Sequence, residues 1–153
     1  MKKLQPTISH YLLTLFSMLV MSASGMSLAH AEIVVIVNPQ NPLTALEEED
    51  VRRIYLGRTR MFPGSTQGIE TLDLPETEER FAAFYQSLTH LTPAKLKRQR
   101  ASYLFSGKGR LPLVLPDESA VKQHVASSPA AIGYVQADQV DASVKVVATV
   151  KTE

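Results

Sequence analysis

Three stretches of this 153-residue chain hold groups suited to gripping an anion. Pro75-Glu76-Thr77 reads as the start of a helix, where free backbone N–H groups and the helix dipole favour negative charge. Ser106-Gly107-Lys108-Gly109-Arg110 joins small residues to two cations, a composition that suits an oxyanion. Asn38 stands at the end of the first predicted strand, where ligands of open α/β sheets sit. Each place also has a plainer reading: a helix cap, a solvated turn and an Asx-turn respectively.

Other chemistry is missing from the sequence. There is no cysteine, so no disulfide and no thiolate site. His90 and His124 stand far apart and outside any H-x-x-x-H spacing, which suits helix-surface or helix-end positions better than metal ligation. No G-x-S-x-G, G-x-x-x-x-G-K-[ST] or G-x-G-x-x-G pattern occurs. The run Glu47-Glu48-Glu49-Asp50 falls in a predicted first helical turn, where acids compensate the dipole. These features point away from an enzyme and call for no cofactor or metal.

The elements that must position the three stretches follow from periodicity. Ile33–Val37 is a continuous β-branched run, as in a strand buried on both faces. Thr44-Ala45-Leu46-Glu47 fits a capping box opening a helix that ends at Gly57, with Val51, Ile54 and Tyr55 on one side. Arg58 to Gly68 reads as a loop and Ile69 to Leu74 as a strand. A helix is expected from about Glu76 to Leu88, burying Phe81, Phe84, Tyr85 and Leu88 at i, i+3, i+4, i+7 spacing. Thr92-Pro93 opens another, running to about Phe105 and stopping at Gly107. Leu96, Tyr103 and Leu104 are expected on its core side.

Lys108 to Pro116 is extended and interrupted by prolines. Asp117 caps a helix to about Ala126, and Ile132–Val135 and Val144–Val150 close the fold. Strands alternating with helices predict a single α/β domain with a mixed sheet flanked by helices.

The N-terminus addresses the chain. Lys2-Lys3, an apolar run from Tyr11 to Met21 and the small-residue site Ala29-His30-Ala31 form an export signal, with cleavage expected after Ala31. The apolar run is too short to span a bilayer, which takes about 20 residues. Residues 32–153 then form the mature α/β domain. Of the 16 basic residues Lys2 and Lys3 depart, so 14 remain against 15 acidic ones. A near-neutral chain argues against a general nucleic-acid or membrane-surface binder. The cluster Lys95, Lys97, Arg98, Arg100, Lys108 and Arg110 reads as a solvated face or a contact for an anionic partner. It lacks the interleaved aromatics of a single-strand binder.

Two motifs carry a family resemblance. Ile54-Tyr55-Leu56-Gly57 is similar to the "I-F-x-G" helix end, and Ala130-Ala131-Ile132-Gly133-Tyr134-Val135 to the "G-A-I-G-Y-V" strand, of phosphate-type periplasmic solute-binding proteins of ABC transporters. The chain resembles the short, single-lobe members of that family. The resemblance implies a periplasmic-binding-protein-like lobe, a periplasmic location and a small oxyanion as ligand class. In the long members an "S-G-T" helix start donates to phosphate, with a phenylalanine four residues on. The matching stretch here is Pro75-Glu76-Thr77 with Phe81, in which Thr77 agrees while Pro75 and Glu76 depart.

The expected ligand set is therefore Asn38, Thr77, Ser106, Gly107 and Lys108, and the expected function is solute binding for ABC transport. The alternative is a periplasmic interaction protein on the same fold, its ligand site decayed and its surface contacting a membrane-protein partner.

Overall fold

The computed structural model describes residues 32–107 and 109–152. The expected signal, its cleavage point and Lys108 lie outside the described residues. Five strands form one sheet: β1 (Ile33–Val37), β2 (Glu70–Asp73), β3 (Leu113–Val114), β4 (Ala131–Gln136) and β5 (Lys145–Val150). Their order is β3-β2-β4-β1-β5. Strand β1 runs antiparallel to β4 and β5, whereas β2 runs parallel to β3 and β4. The helices are α1 (Glu48–Tyr55), α2 (Glu79–Thr89), α3 (Pro93–Phe105) and α4 (Glu118–Ser127). This is the expected mixed-sheet α/β lobe.

The β-branched run makes β1, and all five of its residues are buried. A Cβ added at Gly133, opposite Ile36, would stand 2.4 Å from Val121 Cγ1, so glycine lets α4 lie close on β4. Gly57 has φ +71°, the left-handed stop expected after α1. Thr92 and Asp117 cap α3 and α4 through their side chains, accepting from Lys95 N–H and Ala120 N–H.

Three expectations are corrected. Helix α1 begins at Glu48 rather than Thr44, because the preceding backbone joins the sheet instead: Leu46 N–H donates to Val147 O at 2.7 Å. That carbonyl is open because the β1–β5 register skips Val147. Helix α2 begins at Glu79 rather than Glu76, since Glu78 N–H closes a separate turn on Pro75 O at 2.9 Å. On α3 it is Arg100 that turns inward with Leu96, while Leu104 is exposed at 45%. The inward positions Leu96, Arg100 and Tyr103 keep i, i+4, i+7 spacing, so the expected Leu96 and Tyr103 hold and Arg100 takes the place expected of Leu104.

Ile54, Phe81, Phe84 and Ile132 share one core, as the helix faces require. Phe84 is 0% exposed and stacks on Tyr134 with ring centroids 3.9 Å apart. Phe84→Ala should therefore lower stability by roughly 3–5 kcal/mol in chemical denaturation. A loss below about 1 kcal/mol would mean that this face carries little of the core.

Candidate functional site

The carboxyl end of β2 carries a buried acid between two leucines. Asp73 is 0% exposed and accepts four hydrogen bonds. Tyr85 Oη (2.9 Å) and Arg100 Nη2 (2.7 Å) donate to its Oδ2; Tyr134 Oη (2.7 Å) and Leu74 N–H (3.0 Å) donate to its Oδ1. Arg100 also donates to Tyr85 Oη and lies over the Tyr85 ring, 4.5 Å from its centroid. A buried carboxylate is costly unless its oxygens are hydrogen-bonded, and here a guanidinium and three further donors meet them. Strand, two helices and a second strand thus meet on one side chain, and the chemistry there is complete without a ligand.

Tyr55 rounds off the cluster, its ring edge-on to Phe84 at 4.7 Å and to Tyr134 at 5.7 Å. Tyr55 Oη and Arg100 Nε are buried without hydrogen-bond partners, and both residues line a cavity of about 10 Å³. That space is enough for a single water. Burial, and then the Asp73 charge, pushes Tyr55, Tyr85 and Tyr134 well above the usual tyrosine range.

The expected ligand residues do not converge. Val37 pairs with Ile132, and Thr71 pairs with the same residue, so Asn38 lies at the end of the sheet where β2 begins. Thr77 follows the other end of β2, exposed in the turn before α2. Asn38 is 4% exposed, and its amide donates to Val125 O (3.0 Å) and Ala126 O (2.7 Å) of α4. Its Oδ1 accepts from Gln40 N–H at 2.9 Å, the Asx-turn of the plainer reading. Ser106 and Gly107 end α3; the Ser106 hydroxyl donates to Tyr103 O at 2.8 Å, and Gly107 has φ +69°.

A cleft of about 540 Å³ opens beside that turn. Gly57, Thr59 and Arg60 line it from the end of α1, Glu70 and Thr71 from β2, and Arg110 to Leu113 from the run into β3. Arg60 Nη2 donates to Gly107 O at 3.3 Å, tying the two loops together. Glu70, the acid in the lining, bonds Ser128 Oγ (3.1 Å) and His124 Nε2 (3.1 Å). Arg110 belonged to the sequence-derived glycine loop, but Arg60 sat in a stretch legible only as loop. Asp73 had one signal, a lone acid inside the apolar triplet Leu72-Asp73-Leu74. Among the described residues no group of three or more His, Cys, Asp or Glu is placed to hold a metal ion.

No protein-family model matches the sequence, and no curated protein matches it. Solved structures do match in fold. An ABC-type phosphate transport receptor from Vibrio cholerae shares 21% identity at a TM-score of 0.60, over 76% of this chain and 45% of that one. A putative phosphate ABC transporter substrate-binding protein with bound phosphate from Clostridium perfringens shares 20% at 0.63, over 76% and 44%. PstS from Borrelia burgdorferi shares 14% at 0.61, over 76% and 46%. The chain spans less than half the length of each of these proteins. It has the fold of a periplasmic-binding-protein-like lobe.

The three raised tyrosines set an alkaline limit. Their folded-state values lie above the ordinary 10.0, so the stability linked to their protons is complete below about pH 10 and falls as pH rises past it. The urea midpoint should drop between about pH 8 and pH 11, and the drop should shrink in Tyr55→Phe, which loses one such group. An unchanged midpoint would mean that the buried hydroxyls ionise freely.

Proposed function

We propose that the chain is an exported, periplasmic, non-catalytic solute-binding lobe whose ligand is a small oxyanion such as phosphate or sulfate. The observation that carries this reading is the approach of Arg60 and Arg110, from two separate loops, onto one cleft. Gly107 of the expected ligand set, and Ser106 beside it, adjoin that cleft through the Arg60–Gly107 bond. Asn38 holds α4 rather than the anion, and Thr77 lies beyond the far end of β2, away from the cleft. Two guanidinium groups suit the planar, multidentate demands of an oxyanion. The fold likeness to a substrate-binding protein with bound phosphate supports the ligand class, and an ABC transporter is the corresponding partner.

The cleft is open, so water competes for each hydrogen bond. Affinity near 1 mM, about −4 kcal/mol, follows. Calorimetry on the chain from Glu32 should register phosphate or sulfate at that strength, and Arg110→Ala should remove the signal. Absence of heat with both anions in the unaltered chain would sink the oxyanion reading.

One observation favours a second reading, an interaction protein on the same fold. Asp73 at the end of β2 and Asn38 at the end of β1 are both spent on protein groups. At neither end of the sheet does that side chain have a hydrogen-bonding position left for a solute. Both readings require export. Mass spectrometry of the periplasmic fraction should find a mature N-terminus at Glu32, and full-length chain in the membrane pellet would contradict it.

A further inference from the structure

We propose that the tip formed by the end of α3 and the run into β3 docks on an anionic lipid bilayer. The apolar part is unusual for its exposure. Phe105 is 89% exposed, Leu104 45%, Leu111 54% and Leu113 46%. Leu104 and Leu111 line one small cavity, Leu111 and Leu113 line the cleft of Arg60 and Arg110, and Phe105 follows Leu104 as the last residue of α3. Clustered exposed apolar side chains of this kind mark a contact surface.

The chain segments that carry them are basic, although Glu70 lines the adjoining cleft. From Leu91 to Pro116 there is no acid, and Lys95, Lys97, Arg98, Arg100, Lys108 and Arg110 fall in that stretch. Val51 to Ile69, which brings Arg58 and Arg60 to the neighbouring loop, is also free of acids. Arg100 is committed to Asp73, but Lys97 and Arg98 are exposed. They precede Leu104 and Phe105 by seven residues, two helical turns, and so share their faces of α3. A net charge near zero for residues 32–153 thus conceals a polarised molecule, which is why composition argued against a membrane-surface binder. Cations ringing protruding Leu and Phe are what an anionic headgroup layer over an acyl phase would select.

The same edge is closed to the obvious protein alternative, an added strand. Leu115 N–H donates inward to Asp73 O at 2.9 Å, so by alternation the even-numbered residues turn their backbone outward. Those are Pro112, Val114 and Pro116, and two of the three have no N–H to offer. The edge therefore presents side chains rather than a ladder.

The test is co-sedimentation of the chain from Glu32 with phosphatidylcholine vesicles containing about one-third phosphatidylglycerol. Binding should occur at low salt, fall as salt is raised, and be absent with phosphatidylcholine alone. Phe105→Ser should weaken it about tenfold or more, and Lys97→Gln with Arg98→Gln by a similar factor. The protein has no tryptophan, so Phe105→Trp supplies a single probe whose emission should shift to the blue on the anionic vesicles. No sedimentation with phosphatidylglycerol, equal capture by phosphatidylcholine alone, an unweakened Phe105→Ser or an unshifted Phe105→Trp each overturns the proposal. Phe105→Ser should keep the calorimetric response to phosphate, because Phe105 does not line the cleft. Oxyanion binding and membrane docking can therefore fail separately.

Discussion

A carboxylate with no access to water governs much of this molecule. Asp73 ends β2 in the middle of the core, and a carboxyl group in that position is tolerable only when its oxygens are hydrogen-bonded. Tyr85 from α2, Arg100 from α3 and Tyr134 from β4 meet them. Removing one partner of such a buried pair usually costs roughly 3–5 kcal/mol, because the other charge is left stranded. The network therefore fixes where α2 and α3 lie against the sheet, and in what rotation. The phase of α3 follows from it: Arg100 must reach Asp73, which turns Leu104 and Phe105 outward.

Filling the strand end has a second consequence. In an open α/β sheet the carboxyl ends of the strands are the usual place for a ligand. Here β2 ends in protein–protein hydrogen bonds, and β1 ends in Asn38, whose amide holds the last carbonyls of α4. The room that remains lies to the side, where β3 is too short to cover the first half of β2. That leaves Glu70 and Thr71 lining a cleft with the loops of Arg60 and Arg110. Cationic side chains gather around this gap, and the exposed apolar tip adjoins it.

Much of the frame was legible because it rests on local rules. The β-branched run of β1, the left-handed glycine after α1, the caps at Thr92 and Asp117 and the apolar face of α2 each act within a few residues. The starts of α1 and α2 were misplaced for one reason. Each was decided by a competing backbone hydrogen bond: Leu46 to the bulge at Val147, and Glu78 to Pro75.

The sequence by itself determined the elements, their order and the α/β class, since periodicity and capping are properties of neighbours along the chain. It also supplied the resemblance from which the single-lobe fold was expected. Only the tertiary structure decided which polar groups meet. The antiparallel course of β1 against β2 and β4 put Asn38 and Thr77 at opposite ends of the sheet. Asp73, Tyr85, Arg100 and Tyr134 are separated by up to 61 positions in sequence, yet share one hydrogen-bonded cluster. No spacing rule encodes that meeting, because burying a charge is settled by whichever donors the packed fold brings within reach.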